Sequence, residues 1–150
     1  MRTFASVEEL LQAKGISFGP TEWVEIDQRR VDLFAEATGD HQWIHVDPER
    51  AATGPFGGTI AHGFLTLSLL PDLQSRLYAV ENVRMGINYG LNKVRFPAPV
   101  PVGKRVRLSS TLTDVRQGDG FVETVVTSVL EVEGSDKPAC VIESVGRLYV

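Results

Sequence analysis

The sequence predicts an α+β fold, in which a helical first half is covered by an antiparallel sheet built from the second half. Two observations predict it. Capping signals and helical spacing dominate the chain up to Tyr78, including its longest apolar run, Ala61 to Tyr78. From Asn82 onward the pattern becomes long β-rich runs separated by glycine turns, which reads as consecutive hairpins. Helices first and hairpin strands afterwards segregate the two kinds of element, the hallmark of α+β architecture. At 150 residues the chain is long enough for one core, so residues 1–150 are read as one domain.

Taken in order, Ser6-Val7-Glu8-Glu9 reads as a capping box, with Ser6 accepting from the Glu9 amide and Glu9 reaching back. A short helix follows, with Leu10 and Leu11 buried, ending near Gly15. Thr21 to Ile26 alternates and reads as a strand. Asp27 caps a second helix that puts Val31, Phe34, Ala35 and Thr38 on one face, and Gly39 stops it. Asp40 therefore opens a loop. Asp47-Pro48 is a cap followed by a first-turn proline, which predicts a short helix over Glu49 to Thr53. The run from Ala61 to Tyr78 is apolar nearly all round until Pro71-Asp72, which predicts an enclosed helix, kinked or ended early at Pro71. Val83, Met85, Ile87 and Tyr89 alternate as a strand that Lys93 to Phe96 continues, and a proline-rich turn follows. Arg105 to Val115, Phe121 to Val132 and Ala139 to Val150 complete the sheet, joined at Gly118-Asp119-Gly120 and Gly134-Ser135-Asp136.

Bulk composition narrows the partners. A formal net charge of -4 with no basic run disfavours nucleic acid. Pro71, Asp72, Gln74 and Arg76 interrupt the apolar run, so it is no membrane span. The single cysteine, Cys140, sits in a strand-like run and reads as buried packing in a reducing compartment. Met1 to Ser6 lacks the apolar core of a signal peptide, so a cytoplasmic location is expected.

The chemistry concentrates between Thr38 and Gly63. Asp40 and His45, five residues apart across a loop that can fold back, can hold one water between a carboxylate and an imidazole. On spacing alone, such a pair reads more often as a capping aspartate and a surface histidine. His62-Gly63 opens the apolar helix, and the first amides there have no internal partner and favour an oxyanion. Equally, Gly63 could serve close packing while His62 caps the turn. His41 and His45 have the spacing of a helical zinc pair, which His62 and Asp40 could complete. Gly39 and Asp47-Pro48 argue against a helix there, so no metal is expected. The Gly54 to Gly58 loop lacks the lysine and hydroxyl of a phosphate loop.

The stretch Phe34-Ala35-Glu36-Ala37-Thr38-Gly39-Asp40-His41-Gln42-Trp43-Ile44-His45-Val46-Asp47-Pro48 resembles the hydratase motif of the MaoC-like, (R)-specific enoyl-CoA hydratases. Gly54 to Gly63, Asn88 to Phe96 and the turn Pro101-Val102-Gly103-Lys104 extend the resemblance over nearly the whole chain. Its nearest branch is the nodulation-protein-N-like hydratases. The resemblance implies a hot-dog fold, a curved antiparallel sheet wrapped around a long helix, in a homodimer. It also implies reversible syn hydration of a trans-2-enoyl-CoA, with coenzyme A as substrate carrier and no cofactor. Asp40 and His45 match the catalytic positions, and Gly63 the one whose amide polarises the thioester carbonyl. His62, Trp43, Phe56 and Asn88 are expected to line the substrate, and Lys93, Arg95 and Lys104 are candidates for coenzyme A phosphates. Pro71 departs from the pattern, standing where some relatives carry a serine. A hot-dog thioesterase and a non-catalytic acyl-thioester-binding subunit are the alternatives. Against them stand the lack of a carboxylate from Gly63 to Leu70 and the intact Asp40/His45 pair.

Overall fold

The computed structural model describes residues 1–150. Its elements in order are β1 (Arg2–Phe4), α1 (Val7–Leu11), β2 (Ser17–Phe18), β3 (Val24–Glu25), α2 (Gln28–Thr38), α3 (Trp43–Val46), α4 (Pro48–Ala52), α5 (Gly63–Ser68), α6 (Leu70–Ser75), β4 (Tyr78–Val80), β5 (Met85–Arg95), β6 (Arg105–Gln117), β7 (Phe121–Val132) and β8 (Cys140–Tyr149). The main sheet runs β2-β6-β7-β8-β5, with β3 also on β6, and every pairing in it is antiparallel. One parallel pair, β1 with β4, ties the N-terminus to the end of the helical layer.

The capping signals act largely as their chemistry predicts. Ser6 accepts from the Glu9 amide, but the Glu9 carboxylate reaches past the cap to the Ala5 N–H at 2.7 Å. Asp27 accepts from the Arg30 N–H, Asp47 from the Arg50 N–H, and Gly39 ends α2 at φ 81°. Alternation along β6 and β7 turns Val106, Leu108, Leu112, Val122, Val126 and Leu130 inward against Leu65, Leu70 and Leu73. Cys140 is fully buried in this core, and burial pushes its thiol up to about 11.

Several expectations are corrected. The run Thr21 to Ile26 is a strand only at Val24–Glu25, because Thr21 bonds Leu108 through its own N–H and hydroxyl instead of continuing the ladder. Leu11 is half-buried, and Thr38 is exposed on α2. The break expected at Pro71 does occur but falls at Leu69, dividing the apolar run into α5 and α6. Pro71 lacks an N–H and disfavours helical geometry before it, and the Leu69 N–H splits between the Leu65 and Thr66 carbonyls. Nor is α5 enclosed. Phe64 is 68% exposed, with the Phe96 ring edge-on to it. No helix is long and apolar enough to cross a membrane.

Candidate functional site

Two histidines define the site, and the backbone around them is held from both sides. The segment Thr59 to Ala61 is stitched to Val100 and Val102 through the bonds Ala61 N–H to Val100 O and Val102 N–H to Thr59 O. On its other edge the Ile60 N–H donates to the Ile44 carbonyl. This brings α3 beside the start of α5. The stretch expected to be pure loop contains a single helical turn, α3, closed by the Asp47 N–H on the Trp43 carbonyl. So short a turn has no apolar period to announce it.

His45 sits in that turn, 6% exposed, with Nδ1 2.7 Å from the Ile60 carbonyl. A carbonyl only accepts, so Nδ1 carries the proton and Nε2 presents a lone pair. Burial pushes the His45 pKa below its ordinary value. The Ile60 bond opposes this, the nearby His62 adds to it, and Asp40 opposes it again. His62 is 2% exposed, and its ring stacks on that of His45 with centroids 3.9 Å apart and planes 25° apart. Its Nε2 lies 2.9 Å from the backbone carbonyl of Asp40, so this nitrogen is the protonated one. Its Nδ1 is buried with no partner. Phe34 covers the site's inner side, its ring centroid 4.9 Å from that of His62.

Asp40 is exposed, one residue beyond the Gly39 stop, with Oδ1 3.3 Å from the Gln42 N–H. One ligand atom each of Asp40, His45 and His62 lies within 4.8 Å of the others. A water donating over ~2.8 Å to each of two acceptors would hold them about 4.5 Å apart. The 4.8 Å bound leaves room for a single water between the Asp40 carboxylate and the His45 ring. The same trio could be read as a metal centre. However, stacked rings send their in-plane lone pairs side by side rather than to one point. His41 lies apart from the trio, 3.6 Å from Glu36.

Gly63 is the first residue of α5, and the first ladder bonds are those of the Leu65 and Thr66 N–H groups to the His62 carbonyl. The Gly63 and Phe64 amides have no acceptor in the chain. His62, at the N-cap, gives the helix no side-chain bond. A Cβ at Gly63 would press on the Phe96 ring at 3.3 Å.

The other expected substrate contacts do not gather here. Trp43 packs on Gly54, where a Cβ would meet its ring at 2.9 Å, and the Arg50 guanidinium lies 4.4 Å above it. Phe56 is 47% exposed in the loop before Thr59. Asn88 lies on β5 and lines a separate cavity of about 720 Å³ between α5–α6 and strands β5, β7 and β8. Leu67, Pro71, Gln74, Ile87 and Gly146 line it too, but neither histidine does. Sequence reading missed Gln28, whose amide donates to the His45 carbonyl at 2.7 Å and accepts from the Thr59 hydroxyl at 2.6 Å. A glutamine in the first turn of a helix carries no signal for such a clamp.

Comparison with known proteins identifies the family. A family model described as a MaoC like domain matches residues 9–134. The 3-hydroxyacyl-thioester dehydratase Z of Mycobacterium tuberculosis (strain ATCC 25618 / H37Rv) is 64% identical over 148 residues, covering 98% of each chain. Nodulation protein N of Rhizobium leguminosarum bv. viciae is 48% identical over 128 residues, covering 83% of this chain and 80% of its own. Among solved structures, an (R)-hydratase from A. caviae involved in PHA biosynthesis superposes with TM-score 0.72 at 25% identity, covering 89% of this chain and 94% of its own. On the strength of the family match and of these identities over nearly its full length, the chain belongs to the MaoC-like dehydratase family, with its hot-dog fold.

Proposed function

We propose that this chain is an (R)-specific enoyl-CoA hydratase, adding water reversibly and syn across trans-2-enoyl-CoA to give the (R)-3-hydroxyacyl product. One observation carries the reading. Ligand atoms of Asp40 and His45 lie within 4.8 Å of each other, close enough to share one water, and the first amides of α5, next in the chain to His62, have no partner. The names of the relatives support the same reaction class in both directions.

In this mechanism the water donates one hydrogen to Asp40 and the other to His45 Nε2, leaving an oxygen lone pair for C3. As the C3–O bond forms, Asp40 accepts the proton that leaves the water. The π electrons move to the thioester oxygen, where the Gly63 N–H donates and the helix end adds positive potential. The enolate then collapses by taking a proton at C2 from the Asp40/His45 pair, so one water is added across the double bond. The proton that Asp40 took from the water is the one returned through the pair, so the pair ends as it began, and the lowered pKa of buried His45 keeps its imidazole neutral to hold the water. The thioester itself acidifies C2, so this route needs no metal or cofactor.

Coenzyme A is the favoured carrier, because an acyl-carrier protein is acidic and this chain carries a net charge of -4. The cavity of about 720 Å³ beside α5 is the proposed acyl recess, and Leu67 on its wall is only four residues along the helix from Gly63. We also propose a homodimer through β5, an edge strand on which Met85, Ile87, Tyr89 and Leu91 are 40–57% exposed. A thioesterase reading lacks a carboxylate on α5.

Crotonyl-CoA separates these readings. Loss of enoyl absorbance without free thiol is the expected result, and Asp40→Asn should cut the rate about 10²- to 10⁴-fold. Thiol release would make the chain a thioesterase, and an active Asp40→Asn would end the proposal.

A further inference from the structure

We infer that His62 is a positioning residue for hydration, bracing both Asp40 and His45 from behind without touching the substrate. This rests on the hydratase reading above and assigns a role to the histidine that reading leaves idle. Three contacts carry it. The His62 ring lies flat on His45 at 3.9 Å, its Nε2–H holds the main chain of Asp40 at 2.9 Å, and Phe34 packs against it at 4.9 Å. One imidazole thereby fixes the backbone of one member of the pair and the ring plane of the other.

The residue type argues for the role. With Nδ1 buried and unpartnered, His62 carries a desolvation cost that a phenyl ring of similar shape would avoid. Packing alone would favour Phe. What Phe lacks is the N–H that reaches Asp40. Nor is His62 spent on capping α5, although Ser, Thr or Asp at that N-cap would hold the helix better. Such a cap would also fold an oxygen over the amides of the first turn, where the thioester oxygen is to bind. His62 is 2% exposed, so the direct substrate contact expected of it from sequence gives way to support.

The test compares two variants of the full chain with Asp40→Asn. His62→Phe keeps the stacked face and removes the donor, whereas His62→Gln keeps a donor and removes the face. Both should fold, lose about 10- to 100-fold in kcat on crotonyl-CoA, and keep KM within about twofold. In ¹⁵N spectra, wild-type His45 should show protonation at Nδ1 alone and His62 at Nε2 alone, with His45 becoming a mixture of tautomers in His62→Gln. Wild-type kcat in either folded variant, a loss confined to KM, or rescue of His62→Ala by free imidazole would each overturn the inference. Should both variants fail to fold, the wild-type spectra decide it: mixed protonation at either ring overturns the role and the single tautomers uphold it. An inactive Asp40→Asn beside fully active His62 variants would sink only the bracing role, whereas an active Asp40→Asn would sink the hydratase reading itself.

Discussion

At the scale of single residues, the site depends on which atoms carry protons. His45 donates at Nδ1 to the Ile60 carbonyl and so can only accept at Nε2, a division no sequence motif reveals. Its imidazole must be neutral to hold the water, and burial lowers its pKa. The acid limb of kcat/KM on crotonyl-CoA should therefore have its midpoint below about 6.5, the ordinary imidazole value. A midpoint above that would contradict the burial. Folding stability follows the same direction. With the folded pKa depressed, the unfolded chain takes up a proton first as pH falls through about 6.5. The His45 contribution is then whole above that pH and is lost as the pH drops toward the folded value. Gly63 offers a test of the backbone donor. It is the first helical residue of α5, where proline is well tolerated, and His62 before it has φ -59° and ψ 138°, a conformation that suits a following proline. Gly63→Pro removes the N–H but also sets a Cβ against Phe96, so Gly63→Ala, which adds the same Cβ and keeps the N–H, is its control. The proline variant should lose about 10²- to 10³-fold more kcat than the alanine variant. A Gly63→Pro protein that turns over as Gly63→Ala does would assign the thioester oxygen elsewhere.

At the scale of elements, what was legible in the sequence is what local chemistry decides. The caps at Ser6, Asp27 and Asp47, the stop at Gly39 and the hairpin glycines act within a few residues, so their side chains announce them. Strands β6 and β7 were legible because one face of each is buried and alternates, whereas β8 is buried only at Cys140 and Ile142 and was legible from its β-rich composition. Less legible was whatever depends on distant partners. Thr21 leaves the strand pattern because Leu108 lies across from it, and α3 forms without any apolar period. Asp40 and His45 stood out by type and by resemblance, but the bracing stack did not. His62 reaches Asp40 across 22 positions, and Gln28 reaches Thr59 across 31. The reading of α5 as enclosed failed for a related reason. Apolarity all round says that a helix must be covered, and Phe64 remains open within the single chain.

At the scale of the whole molecule, that open face and the bare edge of β5 are parts of one surface problem. A strand of 11 residues with unpaired backbone groups and four exposed apolar side chains invites another strand. Placing lysine at both Ile87 and Tyr89 should convert the particle from dimer to monomer in sedimentation or light scattering, with the melting temperature lowered. A wild-type monomer at micromolar concentration would refute the pairing. The bonds that hold Thr59 to Ala61 have a different consequence. Because the main chain is clamped on both sides just after the glycine-rich loop, that loop is mechanically insulated from the reacting atoms. Insertions between Pro55 and Gly58, clear of the contact of Gly54 with Trp43, should therefore leave the alignment of Asp40 and His45 unchanged.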